Sequence, residues 1–236
     1  MKFTSAMKIL GLDTTTMAGS VGLIEDERPI AAHTLHIQIT HSERIMEAID
    51  VLLKGAKVPL RDLDGFAVSV GPGSFTGLRV GLGVIKGLAM ATGRKVVPVS
   101  SLHALACNLS FAPYPICPVI DARKKEVYSA LFRGEADGKI TRLTGDRLMS
   151  ASELLRGIGA GLPGVGEQDP VLFFGDGADL HRDLIRSVLG PRAIFPPPWT
   201  GIPSGVMVSL LGRRGFLEGK EIDGEDLVPE YIQEFP

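Results

Sequence analysis

The sequence predicts an α/β protein of two lobes, each a mixed β-sheet with helices. Short apolar runs typical of buried strands alternate with longer stretches of helical periodicity. The first 110 residues give the order strand, strand, strand, helix, strand, helix, strand, helix. Prolines at 113, 115 and 118 then mark a boundary before strands resume at Ile116. We therefore expect a first lobe at residues 1–110 and a smaller one at 111–236, with the option that the last helix, 204–217, packs back on the first.

Composition places the chain among ordinary globular proteins. Of its 236 residues, 44% are hydrophobic and 22% charged, and the net charge of −2 argues against binding nucleic acid by bulk electrostatics. Two cysteines, Cys107 and Cys117, make no disulfide framework. Residues 1–8 lack the apolar core of a signal peptide, and no apolar run approaches the ~20 residues of a membrane span. We expect a soluble cytoplasmic protein.

The first lobe begins with three predicted strands. Lys8–Asp13 is apolar and ends in a carboxylate, and three threonines, Thr14–Thr16, follow it. Ser20–Glu25 and Ile30–Ile37 should pair across a turn at residues 26–29. By themselves, hydroxyl groups at this position are ordinary turn chemistry.

A helix is predicted after the third strand, because Thr40 and Glu43 have capping-box spacing. It should end at Gly55, with Pro59 beyond. His33, His36 and His41 precede it, but residues 33 and 36 point to opposite faces of a strand, which opposes a metal site.

Residues 64–93 are the most informative stretch. Phe66–Val70 reads as a buried strand, Gly71-Pro72-Gly73 breaks it, and Ser74 or Thr76 can cap a helix that stops at Gly93. Free backbone N–H groups at such a turn bind anions. However, the spacing fits neither the P-loop nor the dinucleotide fingerprint, so a glycine turn needed only for packing remains the alternative.

The helix after this turn is apolar nearly all round. Its charged residues are Arg79 and Lys86. The glycine pairs 77/81 and 83/87 flatten two faces of the helix. A glycine inside a helix lowers its stability by about 1 kcal/mol relative to alanine, so we expect a close contact that compensates for this loss. One face can pack on the sheet, whereas the other requires a second helix from this chain or another.

The segment Val68–Gly81, VSVGPGSFTGLRVG, resembles the signature of the bacterial TsaB (YeaZ) family. That family belongs to the glycoprotease-like branch of the actin/hexokinase/Hsp70 ATPase-fold superfamily. The resemblance implies two ribonuclease-H-like lobes of the actin type. It also implies a role in making threonylcarbamoyladenosine at position 37 of tRNA.

The resemblance implies candidate site residues, and none of them is catalytic. In the superfamily's ATPases the segment after the first strand holds metal-bound phosphate. The nucleotide-binding candidates are Asp13, Thr14, Thr15, Gly73, Ser74 and Thr76. The candidates for a partner interface are His41, Arg44, Ile45, Met46, Arg79, Gly81, Gly83 and Lys86. The metal-dependent sister proteins of the family carry His-x3-His where this chain has Ser101 and Leu105, so no metal is expected.

The second lobe resembles the family more weakly. Asp121–Tyr128, DARKKEVY, matches a family segment and predicts a salt-bridged hairpin, with a ligand clamp as the alternative. Residues 134–170 read as surface loops around one helix, Ala151–Ile158. A strand at Val171–Phe174, a helix at Asp179–Leu189 and a last helix at Ser204–Leu217 complete the chain.

The function that these features favour is an assembly subunit without chemistry of its own. Its expected partners are a TsaD-type sister transferase, a TsaE-type P-loop ATPase, tRNA bound through the complex, and a second copy when alone. No cofactor is required, with ATP or ADP in the complex as an option. A small-molecule kinase or ATPase is the alternative. A metallopeptidase would need His-x3-His or His-Glu-x2-His, which the sequence lacks.

Overall fold

A computed structural model describes residues 6–36 and 42–232, which divide into two compact units. The first unit takes its described residues from Met1–Ala104 and Pro203–Glu230, and the second takes them from Leu105–Ile202 and Tyr231–Pro236. The first stretch of the first unit ends at Ala104, and the last helix belongs to that unit.

Strands and helices cover most of the described residues. The strands are β1 Lys8–Asp13, β2 Ala18–Glu25, β3 Arg28–His36, β4 Gly65–Gly71, β5 Val96–Ser100, β6 Ile116–Arg123, β7 Glu126–Ser129, β8 Phe132–Gly134, β9 Ile140–Arg142, β10 Arg147–Ser150, β11 Val171–Phe174 and β12 Ala193–Ile194. The α-helices are α1 Ser42–Ala56, α2 Phe75–Thr92, α3 Ser101–Ala106, α4 Ala151–Gly159, α5 Asp176–Leu180, α6 Arg182–Leu189 and α7 Gly205–Leu217.

The first unit is built on a five-stranded sheet of order β3-β2-β1-β4-β5. β1, β2 and β3 pair as antiparallel neighbours, whereas β1, β4 and β5 run parallel. Parallel neighbours need crossover connections, which α1 and α2 supply. This order is the ribonuclease-H-like arrangement that the sequence predicted.

Helices cover both faces of this sheet. Leu10 and Phe66 face a core shared with α1 and α2, whereas Ile9 and Ala67 face a core shared with α7. Adjacent strand residues point to opposite faces, so a strand covered on both sides must be apolar throughout. That explains why every residue of β4 is buried.

The second unit repeats the strand order of the first. Its path is β10-β7-β6-β11-β12, with β10, β7 and β6 antiparallel and β6, β11 and β12 parallel. β8 and β9 branch from β6. Two mixed sheets of the same order confirm the predicted fold class.

Two predictions for the second unit were wrong in detail. Residues 134–170 are not only loops around a helix, since they also contain β9 and β10. The helix predicted at Asp179–Leu189 is two helices, α5 and α6, because His181 between them has φ −105° and ψ 16°. Within the described ranges, every helix is too short or too polar to cross a lipid bilayer.

Candidate functional site

The loop after β1 holds the first three nucleotide-binding candidates in the interior. Asp13, Thr14 and Thr15 are each at most 3% exposed. Asp13 Oδ1 accepts hydrogen bonds from the backbone N–H of Thr15 at 2.9 Å and from its hydroxyl at 2.8 Å. Asp13 Oδ2 accepts a third from the hydroxyl of Ser69 on β4 at 2.5 Å. Burial raises the pKa of Asp13, and these three bonds oppose the rise.

The turn between β4 and α2 packs directly on this loop. The backbone N–H of Ser74 donates to the Thr15 carbonyl at 2.7 Å, and the Thr14 hydroxyl donates to the Gly77 carbonyl at 2.8 Å. A Cβ at Gly73 would lie 2.4 Å from the Thr15 carbonyl oxygen, and one at Gly77 would lie 1.9 Å from that of Thr14. Glycine is therefore required at both positions for the two loops to touch.

The structure brings the nucleotide-binding candidates close together, and hydrogen bonds within the two loops occupy Asp13, Thr14, Thr15 and Ser74. Ser74 and Thr76 are exposed, and the Ser74 hydroxyl accepts from the Gly77 N–H at 3.3 Å as the N-cap of α2. Sequence analysis missed Ser69, although a serine between valines in a buried strand was a signal for it. We call this contact between the loop of residues 13–15 and the turn of residues 73–77 the clasp. Its hydrogen bonds hold the two segments together.

The resemblance implied metal ligands of the sister proteins at the positions of Ser101 and Leu105. In this chain both residues are 2% exposed, and neither side chain is a ligand that such metals favour. Among the residues that the structure describes, no group of three His, Cys, Asp or Glu side chains is arranged to hold a metal ion.

An open groove runs along the outer faces of α1 and α2. Gly83 and Gly87 form its floor, and a Cβ at either position would meet no atom within 4 Å. The groove has a volume of about 580 Å³. It is lined by Met46, Arg79, Val80, Gly83, Val84, Gly87 and Leu88.

Three interface candidates, Met46, Arg79 and Gly83, line this groove. Met46 is 43% exposed. Arg44 is also exposed, but it is not a lining residue. The Arg79 guanidinium lies 3.9 Å from the centre of the exposed Phe75 ring. Lys86 is held at its edge by donating to the Glu225 carbonyl at 2.7 Å.

Two interface candidates face the interior instead, which corrects their assignment to an exposed surface. Ile45 is 1% exposed and belongs to the core beneath α1. A Cβ at Gly81 would lie 2.2 Å from the Thr14 hydroxyl, so Gly81 serves the clasp. His41 lies outside the described residues. Gly87 was not among the interface candidates, although the sequence already placed it with Gly83 on one flattened helical face.

Comparison with known proteins agrees with this architecture. The family described as TsaD, tRNA N6-adenosine threonylcarbamoyltransferase, matches residues 35–206. The tRNA threonylcarbamoyladenosine biosynthesis protein TsaB of Bacillus subtilis is 30% identical over 228 residues, which cover 96% of this chain and 94% of the relative. This chain belongs to the TsaB (YeaZ) family. YeaZ from Pseudomonas aeruginosa superposes with a TM-score of 0.80 at 26% identity, over 96% of this chain and 100% of that one.

The TsaB family is also related in sequence to the transferases. The tRNA N6-adenosine threonylcarbamoyltransferase of Persephonella marina is 28% identical over 180 residues, covering 67% of this chain and 52% of that protein. A TsaB protein and such a transferase therefore share a homologous segment.

Proposed function

We propose that this TsaB-family chain is a non-catalytic subunit of bacterial tRNA threonylcarbamoyladenosine biosynthesis, which binds and activates the metal-dependent, TsaD-type transferase. The relatives named TsaB support the pathway. The homology with transferases supports the partner, because related subunits can pair about a pseudo-twofold axis.

The observation that carries the proposal is the open groove over Gly83 and Gly87. Helices that pack at close range need small residues at the contact, and apolar walls then bury against the partner. Val84 and Leu88 line the groove but are already at most 9% exposed, so Val80 and the 43% exposed Met46 supply most of the apolar surface left for a partner. A homologous pair of helices from the transferase would complete a four-helix bundle with α1 and α2.

The clasp around Asp13 supports a role without chemistry. A kinase or ATPase of this fold would direct that carboxylate at metal-bound phosphate, but here it accepts three hydrogen bonds from Thr15 and Ser69. Ser101 and Leu105 are also poor metal ligands, which counts against a metallopeptidase. In this proposal the chain requires no cofactor, with ATP or ADP in the assembled complex as an option.

The other proposed partners are tRNA, a P-loop ATPase and a second copy of the chain. A net charge of −2 gives little counterion release, so tRNA is bound mainly through the complex. A TsaE-type P-loop ATPase completes the system. Without the transferase, the groove pairs with its own copy to give a homodimer, since a self-complementary surface favours twofold pairing. Cys107 and Cys117 form no disulfide, which suits a reducing cytoplasm.

Sedimentation velocity tests the partnership most simply. The purified chain is mixed with the TsaD-type transferase at increasing concentration, and we expect a stoichiometric complex that replaces the homodimer. Two independently sedimenting proteins at micromolar concentration would overturn the proposal.

A further inference from the structure

The hairpin between β6 and β7 has three consecutive basic residues at its tip. Arg123, Lys124 and Lys125 have φ values of 69°, 49° and 68°, all in the left-handed region. Arg123 pairs with Glu126, so the two lysines form the turn itself. All three residues are exposed.

This backbone is poorly suited to these side chains. A two-residue turn with positive φ at both positions strongly favours Asn-Gly, because residues with a Cβ clash with the neighbouring carbonyl. The chain uses residues that tolerate positive φ at comparable places: Gly138 lies in the β8–β9 turn at φ 79°, and Asp26 lies in the β2–β3 turn at φ 53°. Turn geometry therefore does not explain why lysines occupy positions 124 and 125. A function of their side chains does explain it.

The tip is held in place by two aspartates. Asp121 Oδ1 accepts from the Arg123 N–H at 2.9 Å, and its Oδ2 lies 3.4 Å from the Arg123 guanidinium. The N–H of Asp121 in turn donates to Asp176 Oδ1 on α5 at 3.0 Å. The Asp121 carboxylate thus offsets part of the Arg123 charge. Neither Lys124 nor Lys125 has an ion pair among the described contacts, so two ammonium groups project from a fixed support.

We infer that Lys124 and Lys125 bind the phosphate backbone of RNA. The inference rests on the proposed function, which makes tRNA the polyanion that the complex handles. Ammonium groups act as point charges toward phosphate and need no base sequence. Every exposed residue of the tip is basic, whereas the centre of a protein interface needs apolar side chains and few charges. Because the net charge of the chain is −2, any contact with phosphate has to come from a local group of basic residues such as this one.

Replacing the two lysines with the residues that the turn prefers separates stability from binding. In the double variant Lys124→Asn/Lys125→Gly, we expect a melting temperature at or above that of the wild type and unchanged assembly with the transferase. The tRNA affinity of the complex should fall roughly 15- to 30-fold at 0.15 M salt, and the slope of log K against log salt should shrink by about 1 to 2. Filter binding with a labelled tRNA transcript measures both.

Two control variants sharpen the test. Lys124→Arg/Lys125→Arg keeps the charges and should keep the affinity. Lys57→Gly removes another exposed lysine with φ 55°, on the first unit, and should leave the affinity unchanged.

The possible outcomes are distinct. Unchanged affinity and slope in the Asn-Gly variant would overturn the inference. Loss of assembly with the transferase would also overturn it, because the tip would then contact protein. A wild-type complex that failed to form would refute the proposed function, and this inference with it.

Discussion

Replacing Gly83 with leucine should separate folding from association. A Cβ at Gly83 meets no atom within 4 Å, so the side chain can be added without a clash inside the protein. Leucine also has a higher helix propensity, which should stabilise α2 by about 1 kcal/mol. That increment raises the melting temperature of a chain of this size by roughly 2 to 4 °C.

The same leucine should weaken binding of the transferase. Its side chain fills the floor of the groove, where the proposed partner helix approaches to about 8–10 Å between axes. Overpacking at a tight contact costs up to about 3 kcal/mol, which is roughly 100-fold in Kd. A sedimentation titration of the variant against the transferase, run beside a thermal melt, measures both effects.

Two matched glycine variants complete the experiment. Gly81→Ala places a methyl group 2.2 Å from the Thr14 hydroxyl, so it should lower the melting temperature. Gly55→Leu adds the same bulk to an open position on α1 that does not line the groove, so it should raise the melting temperature through the same helix propensity and leave the Kd for the transferase unchanged. If Gly83→Leu melted normally and bound with unchanged Kd, the reasoning would be refuted.

Three further predictions concern single side chains. Burial raises the pKa of Asp13, so the folded state keeps a proton that the unfolded state loses above pH 3.8. The free energy of unfolding of the wild type, relative to that of Asp13→Asn, should therefore fall as the pH rises from 3.8 and should level off above the pKa of the folded state. Urea unfolding at several pH values measures this difference, and a difference that does not change with pH would contradict the prediction. Burial raises the pKa of Cys117 to about 12, so a thiol reagent at pH 8 should modify it only after unfolding; rapid labelling in the native protein would contradict this. Ser150 and Glu153 form a capping box on α4, so Ser150→Ala should cost about 1 kcal/mol in a denaturant titration, and an unchanged midpoint would count against the cap.

Local signals predicted the stretch from β4 to the end of α2 closely. Ser74 caps the helix and Gly93 ends it in the left-handed conformation at φ 66°, as the sequence indicated. Such caps depend on a few adjacent residues, so one sequence is enough to identify them.

Long-range packing was harder to predict. The sequence alone does not show which of Gly81 and Gly83 faces outward, because that depends on where the loop holding Thr14 packs against α2. Ser69 reaches Asp13 over 56 positions in the chain, and no local pattern identifies such a pair. β9 is only three residues long and has little periodicity to detect.

The central claim is that this chain activates a transferase without doing chemistry itself. Its direct test is threonylcarbamoyladenosine formation on a tRNA transcript, assayed with the TsaD-type transferase and the TsaE-type ATPase, with and without this chain. We expect sustained modification only when all three proteins are present, no modification by this chain alone, and a reduced yield with Gly83→Leu at limiting concentration. Equal rates with and without the chain, or modification by the chain alone, would contradict the account.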